Sequence, residues 1–461
     1  MILISIDSLR RDGLSSFGNP HPTSPNIDHL AHQGVAFEDA VSTTTWTMPA
    51  HHALLRGLYD DVHGAARDQF PPSALQGTPL PELLRRAGYA TQGCYSAPYL
   101  DPIFGFALGF DSYQPCFHYQ TAYEHAADSL SEEAYRELIG KMEDQSHGDS
   151  TSASVVQQAK QFLQQWRARP ARPFFLFLHF FDVHYDYLPP PPFDAKFTQG
   201  RRDLPRRGYM DNPAIKPDMP PGDLAYYRGL YEGEIGWVDD QIGALLKLLL
   251  PDDDVIVALV SDHGDEFFEH GQKGHRANLY HETLDVPILF WSTRDRIPRR
   301  VSVKSRVRLI DVAPTLLELC GVGVPDQMMG RSLTTLMHAP DSEPHGRSAW
   351  AELDCRGRMR ALLDGSLKLI GSITAHGEQP RFELYDLAAD PGERTNLIAA
   401  GDARAQAMGN LYNAMLAQVA ERAPSAQGST QLPSAVRQAL DGLAYLADGS
   451  KLPALAELRY R

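Results

Sequence analysis

VIVALVSDHG, residues 255–264, decides the fold. An unbroken apolar run of strand length ends abruptly in serine, aspartate and histidine. A short run of this kind reads as a strand covered on both faces by helices. Two other stretches repeat the design: ILISI (2–6) runs into Asp7, and FFLFLHF (174–180) runs on to Asp182 and His184. Helical patterns lie between them. SPNIDHLAHQG (24–34) has Ser24 as N-cap, Pro25 in the first turn and Gly34 at the stop. PLPELLRRAG (79–88) ends at Gly88 in the same way, and ASVVQQAKQFLQQWRA (153–168) and DLAYYRGLYEGEIGWVDDQIGALLKLLL (223–250) read as amphipathic helices. Strands alternating with helices predict an α/β fold with a mostly parallel central sheet and helices on both faces.

Bulk properties narrow the class. The chain has 461 residues, 43% hydrophobic and 22% charged, an ordinary globular balance. That length fits one large α/β domain plus a smaller one. The net charge of −15 argues against nucleic acid as a partner and requires a local site for any anion. Cys94, Cys116, Cys320 and Cys355 form no C-x-x-C pair and suggest no disulfide framework. No run is long and apolar enough to span a membrane. Met1 leads directly into ILISID without a basic region or cleavage site, which reads as a cytoplasmic protein.

A composition change near 340–350 divides a catalytic unit, 1–345, from a C-terminal α+β unit, 346–461. In the latter, RMRALLDGSLKLIGS and RFELYDLAADPGERTNL alternate like antiparallel strands with a turn, and SAVRQALDGLAYLA (434–447) reads as a terminal helix. Two regions look inserted: polar, acidic 113–150, and proline-rich 189–222 with RRDLPRR at 201–207. The second reads equally as a substrate collar or a solvated loop.

In open α/β sheets ligands bind beyond the carboxyl ends of the strands. Asp7, Asp262 and His263 occupy such ends. Two carboxylates and an imidazole suit a divalent cation, although an aspartate after a strand is more often a helix cap. TTTWTMPAHHALLRG (43–57) places Thr47 just before a helix that begins near Pro49 and stops at Gly57. Free N–H groups there favour an oxyanion, and a metal would activate the hydroxyl. The plainer reading makes Thr47 an N-cap. His184 is a candidate proton donor to a leaving alcohol. His275 or Arg276, in GHRANLYHE, would hold anionic oxygens or act as acid.

As a set, these motifs resemble the sulfatase family of the alkaline phosphatase superfamily along almost the whole chain. ILISIDSLRRDGLSSFG (2–18) resembles the first metal strand and TSPNIDHLAHQGVAFEDAVS (23–42) the segment after it. TMPAHHALLRGLYDDVHG (47–64) is similar to the nucleophile motif, and FFLFLHFFDVHYDYLPP (174–190) to the D-P-H-x-P-Y-x-P-P segment. VIVALVSDHGDEFFEHG (255–271) resembles the second metal motif, and LIDVAPTLLELCGV (309–322) and ELYDLAADPGERTNL (383–397) the C-terminal signatures. The resemblance implies one divalent metal on Asp7, Asp262 and His263, with Thr47 as nucleophile and metal contact. It implies His184 as the leaving-group histidine, His275 or Arg276 as the second basic residue, and His51 in place of the motif arginine. Mn²⁺ or Zn²⁺ suits Asp, Thr and His ligation better than Ca²⁺ or Mg²⁺, which stay as alternatives.

Departures from the family redirect the chemistry. Sulfatases convert a nucleophile Cys or Ser to formylglycine, and threonine cannot follow. The sulfate-binding G-K-W-H segment falls near YSAPY (95–99), where Ser96 and Pro98 replace Lys and His; Ser8 replaces a second carboxylate. These changes resemble the phosphodiesterase and phosphonate monoester hydrolase branch. The expected activity is therefore hydrolysis of phosphate diesters or phosphonate monoesters through a covalent Thr47 intermediate. The alternatives are a sulfate ester hydrolase without formylglycine and a catalytically silent anion binder. The expected partner is a small anionic ester, with a second copy of the chain left open.

Overall fold

A computed structural model describes residues 1–65, 75–117, 151–201, 203–355, 357–374, 379–398, 401–423 and 458–460. The terminal helix expected at 434–447 and most of the acidic insertion (118–150) lie outside these residues.

The three apolar runs are strands Ile2–Ile6, Phe174–Phe180 and Ile256–Ser261, buried along their whole length. They are adjacent and parallel, with Ile2–Ile6 in the middle. The full sheet runs Val301–Val303, Val35–Phe37, Ile288–Ser292, Ile256–Ser261, Ile2–Ile6, Phe174–Phe180, Ala90–Tyr95 and Ser112–Pro115. Only Ile288–Ser292 is antiparallel to its neighbours. Alternate side chains feed opposite cores, as period-two geometry requires. Ile2, Ile4 and Ile6 pack with Ile27, Val155 and Leu230 from helices Pro25–Gln33, Ser152–Ala168 and Pro221–Leu246. Leu3, Phe175 and Phe177 pack with Leu54, Leu84 and Leu316 from helices Thr47–Arg56, Leu80–Arg86 and Val312–Leu319.

Two helix readings need correction. The Ser24 side chain does not cap Pro25–Gln33; it donates to Asp28 at 2.9 Å. The cap comes from another helix: the Asp239 carboxylate accepts the N–H groups of Asn26 and Ile27 at 2.9 and 2.8 Å. The Pro221–Leu246 helix that carries Asp239 is not amphipathic, because it is buried on most of its circumference between helices Pro25–Gln33, Ser152–Ala168 and Phe193–Lys196. Gly233 allows the last approach; a Cβ there would stand 2.6 Å from the Phe193 carbonyl. The proline-rich segment is thus packed against this helix. Arg201 pairs with Asp203 and Asp223, and Arg206 with Asp194.

The C-terminal strands Ala349–Asp354, Gly357–Asp364, Leu367–Thr374 and Arg381–Asp386 form an antiparallel meander. The turn sits at Gly365, whose φ of +54° favours a residue without Cβ. Helix Arg404–Arg422 covers one face through Met408, Tyr412 and Leu416, in one apolar cluster with Leu58, Tyr59 and Val62. Among the described residues no helix is long and apolar enough to cross a membrane.

Candidate active site

Strand register brings the first two candidates together. Ile6 lies opposite Phe180 on one side and Ser261 on the other, so Asp7 and Asp262 emerge side by side, fully buried. The chain then turns sharply at Ser8, φ +56°, whose N–H donates to Asp262 Oδ1 at 3.1 Å and whose hydroxyl donates to Asp7 Oδ1 at 3.0 Å. His263 hydrogen-bonds the Gly264 carbonyl through Nδ1 at 3.2 Å, so Nδ1 carries the proton. Its Nε2 lone pair therefore faces the carboxylates, 3.4 Å from Asp262 Oδ2 and 3.8 Å from Asp7 Oδ1.

Thr47 completes the group. Its Oγ1 lies 3.4 Å from Asp7 Oδ2 and 3.3 Å from His263 Nε2. It is the first residue of helix Thr47–Arg56, with Trp46 at the cap position and no side-chain cap bond. The N-cap reading of Thr47 is thereby corrected: its hydroxyl points at the carboxylates, and the uncapped N–H groups of the helix leave positive potential beside it.

The electrostatics call for a cation. Burial lifts the Asp7 carboxyl to about 6; burial and then the neighbouring Asp7 lift Asp262 to about 7. Burial also depresses His263. Asp262 Oδ2 and His179 Nε2 are buried without a hydrogen-bond partner. Asp7, Asp262 and His263 bring three ligand atoms within 4.8 Å of one another. Two donors about 2.1 Å from one ion at tetrahedral angles stand about 3.4 Å apart, close to the spacings here. The oxygen and nitrogen donors fit a divalent metal.

The remaining histidines divide by partner. His51 sits one turn into the helix, donating Nδ1–H to the Thr47 carbonyl at 2.7 Å and accepting the Ser5 hydroxyl at Nε2, 2.8 Å. Both nitrogens are engaged and burial holds its pKa down to about 4, so it stands as a neutral brace beneath Thr47, not in an arginine's role. His179 also stands in the site: its Nε2 lies 3.4 Å from Asp7 Oδ2, and burial lowers it to about 4. Ser96 orients it, donating to the His179 carbonyl at 2.7 Å and lying 3.4 Å from Nδ1. The available signal was a lone imidazole inside an otherwise apolar strand. Asp182 is structural; it accepts the Thr151 and Ser152 N–H groups at the start of helix Ser152–Ala168.

His184 and His275 reach the site, their ring centroids 4.9 Å apart, with His275 4.3 Å from His263. The Arg276 guanidinium lies over the Trp46 ring, 4.8 Å from its centroid, and 3.7 Å from Cys355 Sγ. Of the two residues left open by sequence, His275 packs its ring against the metal-ligand residue His263. It also contacts Asp265, a fully buried carboxylate that spacing had not singled out.

The sulfatase family model matches residues 1–322, and that of the C-terminal region of N-sulphoglucosamine sulphohydrolase matches 269–421. An uncharacterized sulfatase of Escherichia coli (strain K12) is 27% identical over 83% of this chain and 79% of its own length. An arylsulfatase of Clostridium perfringens is 26% identical over 86% of this chain and 90% of its own. The phosphonate monoester hydrolase structure of Agrobacterium radiobacter superposes with a TM-score of 0.66 at 21% identity, covering 94% of this chain and 99% of that one. This chain belongs to the sulfatase family of the alkaline phosphatase superfamily, hydrolases of anionic esters.

Proposed function

We propose that this chain hydrolyses phosphate diesters or phosphonate monoesters, with Thr47 as nucleophile. One observation carries the reading: a threonine hydroxyl stands at the helix N-terminus against Asp7 and His263. Its carbon is secondary, so oxidation would give a ketone and never the formylglycine aldehyde. An ester on Thr47 must be released by attack at the central atom, a reaction well suited to phosphorus.

Asp7, Asp262, His263 and Thr47 would hold the divalent metal, with Mn²⁺ or Zn²⁺ favoured by the donor set. When bound, it supplies Lewis-acid neutralisation of anionic oxygens and a lowered hydroxyl pKa. Thr47 Oγ1, as its oxyanion, bonds phosphorus while the bond to the alcohol oxygen breaks. That oxygen takes a proton from His184 or His275. Water then bonds phosphorus, returns a proton to the same imidazole and releases Thr47 as the oxyanion. The helix N-terminus favours the negative charge on Oγ1 in both halves.

A second reading, sulfate ester hydrolysis by the same Thr47, is favoured by the sulfatases among the relatives. A panel of nitrophenyl phosphate diesters, phenylphosphonates and sulfates decides. Diester or phosphonate turnover that disappears in Thr47→Ala supports the first reading. Sulfate turnover alone supports the second. No turnover with any divalent metal, despite anion binding, makes the chain a silent binder.

A further inference from the structure

We infer that Asp265 is a positioning residue for His275 and that Tyr187 holds Asp265 in that role. The inference rests on the reading of His275 as part of the ester-hydrolysing site. Asp265 is fully buried, and its two oxygens are divided between two donors. Oδ1 accepts from His275 Nδ1 at 2.6 Å, and Oδ2 accepts from the Tyr187 hydroxyl at 2.8 Å. Tyr187 is itself buried, its ring centroid 5.0, 5.4 and 5.6 Å from those of Tyr209, Tyr231 and Phe267. The carboxylate is therefore anchored to a packed aromatic wall.

The backbone around His275 is bent to meet it. Gly274 has φ +71°, and Arg276, which has a Cβ, has φ +66°. A non-glycine residue in this region persists where its surroundings over-determine it, and such residues cluster at functional sites. His184 Nδ1 contacts the carbonyl of the next residue, Tyr185, at 2.5 Å. His275 has a carboxylate fixing its tautomer. A carboxylate accepts and does not donate, so it commits the proton of the neutral ring to Nδ1 and stabilises the imidazolium, whose Nε2–H is the proton passed to the alcohol oxygen. An amide in its place can present N–H instead and allow the wrong tautomer.

The test has two arms. With ¹⁵N-histidine in the Zn²⁺-loaded full chain, His275 should read as the Nδ1–H tautomer, and Asp265→Asn should shift it to a mixture or to Nε2–H. With aryl esters of the class the panel shows to be turned over, Asp265→Asn should lower kcat about 100-fold, with KM within about threefold and metal per chain unchanged. The loss should deepen as the leaving phenol becomes more basic, which a purely structural defect would not produce. The double variant with His275→Ala should be no slower than His275→Ala alone. Tyr187→Phe should act in the same direction, about tenfold, and carries the same measurements if Asp265→Asn does not fold. Loss of metal in Asp265→Asn, an equal loss for every leaving group, or an unchanged tautomer overturns the inference. If His275→Ala leaves turnover intact, the ester-site reading of His275 has failed, and the tautomer arm alone decides the role of Asp265.

Discussion

At the scale of the residue, Thr47 is placed by what surrounds it and not by its own preferences. As a cap it would have satisfied the helix; as the first helical residue it presents Oγ1 to Asp7 and His263. Thr47→Ala should lower turnover by about a thousandfold or more while leaving the fold intact, whereas Thr47→Ser should retain a measurable share. Initial rates with the same ester, alongside circular dichroism, check both. Asp262 contributes differently, through an unpartnered buried oxygen. Asp262→Asn should bind less than a tenth of the metal of the parent chain, read by elemental analysis after dialysis. Chelation of the parent should lower its Tm, because a ligand held by the native state alone stabilises it by about 2.7 kcal/mol at a hundred times Kd.

At the scale of the element, helices here are held by side chains from elsewhere in the chain. Asp239→Ala removes the acceptor for Asn26 and Ile27 and should cost about 1–2 kcal/mol in urea unfolding, while Ser24→Ala should cost far less. Asp285 offers a pH test. Burial by itself would raise its carboxyl, but His281 and Arg11 hold it down to about 2, below the ordinary 3.8. Arg11 is 2.8 Å away and His281 3.1 Å. A depressed carboxyl stabilises the fold above the unfolded value, and that stability disappears as pH falls from about 4 through about 2. The parent should therefore lose on the order of 2 kcal/mol across that window relative to Asp285→Asn, measured by denaturant titration at several pH values.

At the scale of the whole molecule, the small C-terminal sheet reaches back to the loop that carries His275. Lys368, on strand Leu367–Thr374, meets Glu393 at 2.7 Å with both side chains fully buried. Glu393 in turn accepts the His281 N–H at 2.6 Å, and its carbonyl contacts His270 at 3.2 Å. Lys368→Met leaves a buried carboxylate without its cation and should cost about 3–5 kcal/mol. Amide exchange across 270–282 should rise with it. Lys368→Met combined with Glu393→Leu should recover part of the loss; equal destabilisation in single and double variants would show that the pair is not the link.

Much of this was written along the chain itself. A continuous apolar run ending in Asp or His needs no partner to be legible, since burial on both faces demands such a run and the strand end is where polar atoms first become affordable. Asp7, Asp262, His263, Thr47 and His184 were all readable from that pattern together with the family resemblance. The short strands Val35–Phe37 and Val301–Val303 and the polar Ala90–Tyr95 carried no period of their own; neighbouring strands supply their hydrogen bonds. The sequence could not choose between His275 and Arg276, adjacent in the chain; tertiary packing separates them, one against Asp265 and the other over Trp46. Nor could it reveal Asp239 or Asp265, since each acts on a group far along the chain or across a turn. Composition and periodicity report what a segment must bury; which distant atom a side chain meets is decided only when the segments pack.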